Sequence, residues 1–421
     1  MKTLICIPCL LTGGTEIQTL NTVHALVQGG HEVTVACYYE HTPDMVVRYR
    51  KAGAEVILFS SEGVRVGGYK SILFLYRHLR RAIRAVRPDV VHVQYMAPGA
   101  TVILLLWFMG VKNIIATVHT AADIYKDLRL IHFIQRHCVR AWICITERAE
   151  RSFFGTSQLY SMDMVLGKRN HFTIYNSLPV QLGGSCNENE NYAAEQRLIA
   201  TSSQVNVAEQ RLKDTQSQGD DSPATALRLT SSPAAINRSE AAFTLGVVSR
   251  LEPIKGMDLV VPAFAEVLKH YPDTQLLVVG DGTLRASMEE LAAQLGCADR
   301  VRFVGRQPQE ELSQWYSQMD IVLMPSRSEG FGLTAIEAMA HGCVVVASDV
   351  GGLPEVVSDG VCGLLHRTED VADMASKISS LIASPELCRT MQKNALQHVQ
   401  KFSFQRYASA VCDLYERLIA T

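Results

Sequence analysis

The chain has 421 residues, 48% of them hydrophobic and 19% charged, which is too long for one ordinary core and reads as two globular domains. No apolar run reaches the ~18 residues that a membrane-spanning helix needs, and "MKTLICIPCLLTGG" runs straight into strand-like sequence, so a cytoplasmic protein is expected. The net charge of −2 hides an asymmetry: residues 1–182 carry 20 Lys+Arg against 12 Asp+Glu, and residues 183–421 carry 20 against 30, which points to an anionic partner for the first half.

The first strand is "TLICIPCL". Its Cys6-Ile-Pro-Cys9 matches C-x-x-C, but it lies within or at the end of a strand and does not open a helix, which argues against redox chemistry. The other cysteines lack the spacing of a zinc site. Gly13-Gly14 then makes a strand-to-helix turn before "TEIQTLNTVHALVQ". Its N–H groups either face a cleft or simply serve a tight turn. "HEVTVACYY" is the next strand. Further on, "YRHLRRAIRAVR" places Arg77, Arg80, Arg81, Arg84 and Arg87 at helical spacings, as either a solvated basic face or a contact with an anionic membrane. "DVVHVQY", "NIIATVH", "AWICIT" and "HFTIY" follow as short strands, and "VILLLWFMG" reads as a buried or interfacial helix. Such alternation predicts a parallel sheet covered on both faces.

Residues 183–242 break the pattern. They are rich in Ser, Asn, Gln, Thr and Glu, with Tyr192 and no other aromatic up to residue 240, and read as a linker or insertion. Alternation resumes with "FTLGVVSR", "QLLVVG", "RVRFVG", "DIVLMP" and "CVVVAS". The organisation expected is a first doubly wound domain over 1–182, a second over 243–400, and a closing helix over 401–421 directed back toward the first. Two such domains leave a cleft between the carboxyl ends of their strands.

The stretch "SRSEGFGLTAIEAMAHG" (326–342) carries the chemistry. From Gly332 it reads as a helix that is apolar nearly all round, hence buried, yet it keeps one carboxylate, Glu337. A buried carboxylate either has an internal ion pair or faces something polar. In the second case it suits the two adjacent hydroxyls of a ribose. The N–H groups of Gly332, Leu333 and Thr334 would form an anion site at the helix N-terminus, with Gly330 and Gly332 letting a ligand approach closely. "SRLEPIKG" supplies Arg250 and Lys255 for the same phosphates. "VVGDGT" holds Gly280 and Gly282 but lacks the third glycine of a dinucleotide fingerprint.

The set "GG" after the first strand, "SRLEPIKG", "VGDG", "FVGR", "SEGFGLTAIEAMAHG" and "GGLPEVVSDGVCGLL" resembles the family-4 retaining glycosyltransferases of the GT-B fold, over nearly the whole chain outside 183–240. The resemblance implies two Rossmann-like domains across a cleft and transfer of a sugar from a nucleotide-sugar donor, UDP- or GDP-linked, with retention. It implies ribose binding by Glu337, contact of Glu329 with the donor sugar, and diphosphate binding by Arg250, Lys255 and the Gly332–Thr334 amides beside Phe331. Gly13, Gly14 and Gly280 would line the site, the backbone around Arg306 would meet the base, and His119 in "ATVHT" would lie near the reacting sugar. A glycan or lipid-linked acceptor is expected, in polysaccharide or lipopolysaccharide synthesis, with no nucleic acid, no cofactor and no metal; the sequence contains no Asp-x-Asp. Gln94, Ser177 and Cys343 depart from the family's usual residues. A nucleotide-sugar epimerase of similar shape and a non-catalytic nucleotide-binding scaffold are the alternatives.

Overall fold

The computed structural model describes residues 1–420 apart from 66, 95–98, 123, 124, 126, 165–168 and 181–242, so the polar stretch 183–242 lies outside the described residues. Two sheets organise the rest. The first contains β1 (Lys2–Ile7), β2 (Glu32–Cys37), β3 (Glu55–Leu58), β4 (Val90–Gln94), β5 (Ile114–Val118), β6 (Ala141–Cys144) and β7 (His171–Thr173). Their spatial order is β3-β2-β1-β4-β5-β6-β7. The second contains β8 (Thr244–Val248), β9 (Gln275–Val279), β10 (Val301–Gly305), β11 (Ile321–Met324), β12 (Val344–Ser348) and β13 (Gly363–His366), in the order β10-β9-β8-β11-β12-β13. Every pairing between these strands is parallel.

The strands are apolar on both faces because helices cover both. β5 and β12 are buried along their whole length. Alternate residues of β1 feed separate cores: Leu4 and Cys6 pack with the Gly68–Val86, Gly99–Phe108 and Arg129–His137 helices, while Ile5 and Ile7 pack with the Gly14–Gln28 helix. The closing helix, Phe404–Ala420, joins that second core through Val411, Leu414, Tyr415 and Leu418. Tyr407 reaches Thr22 on the Gly14–Gln28 helix, hydroxyl to hydroxyl at 2.7 Å.

In each sheet the strand order reverses direction once, between β1 and β4 and between β8 and β11. Ligands of open α/β sheets bind outside the carboxyl ends of strands at such switch points. Gly13 follows β1, Gln94 ends β4 and His119 follows β5; Arg250 follows β8 and Glu329 follows β11. The two switch points face each other.

Candidate active site

A cleft of about 960 Å³ separates the lobes, lined by Gly13, Gly14, Glu16 and His119 from the first and by Arg250, Lys255, Glu329 and Glu337 from the second. The lobes touch around it. A Cβ on Gly330 would stand 2.3 Å from the His119 carbonyl oxygen. The Glu355 carboxylate accepts hydrogen bonds from the backbone N–H of Glu147 (2.8 Å) and Arg148 (2.5 Å), at the N-terminus of the Glu147–Phe154 helix in the other lobe. Arg306 donates from Nη2 to Thr12 Oγ1 at 3.1 Å.

The Leu333–Ala340 helix begins at Gly332, whose φ of 103° is the left-handed conformation that favours glycine. The first bond inside it runs from Ala335 N to the Gly332 carbonyl, which leaves the amides of Gly332, Leu333 and Thr334 at the open N-terminus on the cleft. Gly330 and Gly332 are required by the protein itself. One admits the His119 carbonyl, and the other turns the backbone where a Cβ would meet Leu353 at 2.8 Å. Both also line the cleft, where a ligand was expected to approach them. Phe331 is corrected in part. Its ring is buried against Tyr175 and Phe402, with centroids 6.1 and 5.6 Å away, so its side chain belongs to the core.

Glu337 is 6% exposed and has no ion-pair partner among the described residues. Tyr316 donates its hydroxyl to Oε2 and Gln309 its amide to Oε1, both at 2.9 Å. Burial pushes the Glu337 carboxyl up to about 7, against the pull of these two hydrogen bonds. The internal ion pair offered as the alternative is therefore not formed. Each oxygen keeps a lone pair beyond its protein partner, and the residue lines the cleft.

The other carboxylate of the pair is partnered. Glu329 Oε2 stands 2.7 Å from Lys255 Nζ and accepts from Ser326 Oγ at 3.4 Å. The loop bearing Lys255 is clamped by Arg327, which forms ion pairs with Asp258 and Glu369 and donates to the Pro253 carbonyl. Arg250 is exposed on the rim, its charge felt by the Glu16 carboxyl across the cleft. Gly280 and Arg306 line the same wall.

On the first-lobe side, His119 is 7% exposed, and burial holds its imidazole neutral, pushed down to about 3. Its Nε2 lies 2.8 Å from Gln94 Oε1. Glu16 is a cleft residue that sequence reasoning passed over. It is buried in the first turn of the Gly14–Gln28 helix, accepts from Cys9 Sγ at 3.1 Å, and has its carboxyl pKa raised by burial. An acid three residues after Gly13, at a helix start, was the available signal. Cys6 is a buried thiol pushed up to about 12 by desolvation, and the part-buried Cys9 thiol is also pushed up, by burial and by the Glu16 carboxylate beside it. Among the described residues no three His, Cys, Asp or Glu gather as metal ligands.

Two facing doubly wound domains, with an open helix N-terminus and, among the described residues, a carboxylate without an ion pair on one wall of the cleft, define a GT-B architecture. Comparison with known proteins narrows this. Residues 12–154 match the profile of Glycosyltransferase Family 4 and residues 231–398 that of Glycosyl transferases group 1. The chain belongs to this family, the group 1 glycosyltransferases of family 4. A D-inositol 3-phosphate glycosyltransferase of Nocardia farcinica (strain IFM 10152) is 41% identical over 175 residues, 40% of this chain and 39% of that protein. The counterpart from Kribbella flavida (strain DSM 17836 / JCM 10339 / NBRC 14399) is 37% identical over 196 residues, 44% of this chain and 46% of its own length. These matches span less than half the length of the curated relatives. Among solved structures, Anabaena Alr3699/HepE in complex with UDP aligns with a TM-score of 0.70 at 18% identity, over 99% of this chain and 100% of that one. WaaG, a glycosyltransferase involved in lipopolysaccharide biosynthesis, aligns at 0.62 and 15% identity, over 98% and 99%. At such identities the likeness is one of fold.

Proposed function

We propose that this protein transfers a hexose, with retention of anomeric configuration, from a nucleotide-sugar donor to a hydroxyl of a glycan or lipid-linked acceptor. The observation that carries the reading is Glu337: a buried carboxylate without a counter-ion among the described residues, open to the cleft, one turn along the helix whose N-terminus faces the same space. The ribose hydroxyls of the donor donate into the two remaining lone pairs of Glu337. The diphosphate lies at the Gly332–Thr334 amides, with Arg250 and Lys255 neutralising the charge that develops as it leaves. Glu329, already paired with Lys255, ties the cation's position to the hydroxyls of the moving sugar. In the transfer the bond from the anomeric carbon to the diphosphate oxygen breaks and the acceptor oxygen bonds on the same face. The acceptor proton passes to the departing phosphate. His119, neutral and fixed, lines the opposite wall at the reacting sugar.

UDP-sugars are the first donors to try, since UDP occupies the similarly folded Alr3699/HepE; GDP-sugars are the second. The acceptor is presented from the first lobe, in cell-surface polysaccharide or lipopolysaccharide synthesis, the class of work in which the similarly folded WaaG takes part. The first lobe also supplies a surface for an anionic membrane. The Gly68–Val86, Gly99–Phe108 and Arg129–His137 helices contain no acidic residue, while Lys70, Arg77, Arg80, Arg81, Arg84, Arg129 and Arg136 are exposed. Tyr69 and Phe108 are 80% and 81% exposed on the same layer. Cations beside protruding aromatics suit an anionic lipid surface.

A thermal-shift screen of UDP- and GDP-sugars, followed by assay of donor hydrolysis and transfer, tests the reading. A cognate donor raises Tm and turns over slowly without acceptor. Tight binding without any turnover would mark a scaffold, and epimerised donor would mark the epimerase alternative.

A further inference from the structure

A chain of buried hydrogen bonds runs from the cleft through the first lobe to the closing helix. His119 Nε2 lies 2.8 Å from Gln94 Oε1, and Gln94 Nε2 lies 3.3 Å from His92 Nε2. His92 Nε2 is also 2.6 Å from Thr117 Oγ1, and His92 Nδ1 is 2.6 Å from the Tyr415 hydroxyl. His92, Gln94 and Thr117 are each at most 7% exposed, and Tyr415 is fully buried. The Gln94 amide, with Oε1 toward His119 and Nε2 toward His92, sets the direction at both histidines, and the Thr117 and Tyr415 hydroxyls take the roles that the ring nitrogens leave them. An amide nitrogen only donates, so His92 Nε2 carries the lone pair and its Nδ1 carries the proton, donated to Tyr415. An amide oxygen only accepts, so His119 carries its proton on Nε2.

We propose that Gln94 is a positioning residue that holds His119 in the Nε2–H tautomer, and that the His92–Tyr415 pair anchors Gln94 from the closing helix. This rests on the reading of His119 as a group at the reacting sugar. The consequence is chemical. With Nε2 committed to Gln94, the Nδ1 edge of His119 is an acceptor of hydrogen bonds and never a donor. The amide, with a donor and an acceptor at fixed reach, relays the tautomer of one histidine to the other; a second histidine at position 94 would offer the same two functions in different geometry. Both imidazoles are held neutral by burial, so the relay persists across the working pH range. A cavity of about 10 Å³, room for about one water, adjoins His119 and Gln94 and is lined by Gln18, Asn176 and Tyr407 together with Ile143, Ile174 and Val411.

The test uses the full-length protein with ¹⁵N-labelled histidine, identifying the His119 and His92 signals by difference against His119→Gln and His92→Gln. Long-range ¹H–¹⁵N spectra read the tautomers directly. Wild type should show His119 as a single Nε2–H form. Gln94→Leu should show a mixture and should lower kcat about tenfold or more, with nucleoside-diphosphate affinity unchanged within twofold. Gln94→Glu keeps an acceptor for His119 at the same reach but loses the donor to His92, so it should keep the His119 tautomer while altering the His92 signal. Tyr415→Phe removes one hydroxyl without disturbing packing, which guards against a Gln94 variant that does not fold. It should alter the His92 signal and lower kcat a few-fold. An unchanged single tautomer and unchanged kcat in Gln94→Leu would overturn the proposal, and an unchanged His92 signal in Tyr415→Phe would remove the closing helix from it. If the tautomer shifts in Gln94→Leu while His119→Gln retains full kcat, positioning stands and the role of His119 in transfer falls.

Discussion

The two lobes share one architecture and build their cleft walls in different ways. In the second lobe Glu329, the open amides and Glu337 come from one continuous stretch of sequence, 329–337, with Arg250 and Lys255 on the loop opposite. In the first lobe Gly13 and Glu16 follow β1 and His119 follows β5, and His119 is tied at 2.8 Å to Gln94 at the end of β4 behind the wall. On the proposed reading, the wall that grips the donor can be a single local motif, because a nucleotide presents phosphate and ribose at fixed spacing, and the wall that meets the acceptor is assembled from scattered positions. That difference predicts where substitutions will cut binding and where they will cut turnover.

The largest effect belongs to Glu329. Glu329→Gln releases Lys255 from a 2.7 Å ion pair and, on the proposed reading, also removes a contact to the sugar that moves. We expect kcat to fall by roughly one to three orders of magnitude, with donor KM changed much less. Steady-state kinetics beside nucleoside-diphosphate affinity measure this. Equal losses in kcat and in nucleotide affinity would mean that Glu329 merely orders the phosphate-binding loop.

Glu337 should behave in the opposite way. The ribose does not react, so Glu337→Gln should weaken nucleotide affinity by roughly 10- to 150-fold, the worth of hydrogen bonds to a charged group, while kcat falls less. The pH dependence carries a sign. Burial holds the free carboxyl near about 7, and only the ionised form accepts both ribose hydroxyls, so binding releases a proton. Affinity should be full above pH 7 and decline by up to about tenfold per unit below it. Comparing wild type with Glu337→Gln cancels the titration of the ligand's own phosphates. The ligand-free protein should show the reverse. A carboxyl raised above its ordinary value stabilises the fold below about pH 4.5 and loses that contribution as pH rises through 7, so Glu337→Gln should raise Tm at pH 8. Unchanged affinity together with unchanged Tm would remove Glu337 from the site.

How much of this could be read from sequence follows the same division. Strands that are buried on both faces, such as β5 and β12, are continuous apolar runs and stand out. β3 is a half-exposed edge strand and β13 a four-residue strand in a glycine-bearing loop, so neither carries a clear period. Glu337 was legible because a lone charge in an apolar helix is anomalous on its face. The pairing of Glu329 with Lys255 was not, since it joins residues 74 positions apart through loop geometry. Gln94 read as a mere departure from a family pattern. Its two hydrogen bonds to histidines on either side depend on the parallel register of β4 and β5, which places Gln94 beside Thr117.

The smallest expected effect concerns the outer face of the first lobe, and it tests whether the charge contrast between the lobes has a use. Each basic residue near an anionic bilayer contributes about 1 kcal/mol, close to fivefold in binding, and salt screens it. Arg80→Ser with Arg84→Ser should therefore reduce co-sedimentation with anionic vesicles at low salt by roughly one order of magnitude, leaving donor hydrolysis in solution intact. Phe108→Ser should reduce it further and without salt dependence, because the 81% exposed ring contributes by apolar burial. The Gly68–Val86 helix has a plain alternative use, as a solvated cationic face that keeps the protein soluble. Equal failure of neutral and anionic vesicles to bind the wild type at low salt would favour that use. The exposed aromatics at the ends of two of these acid-free helices argue against it, since a face evolved only for solubility has no reason to keep Tyr69 and Phe108 in water.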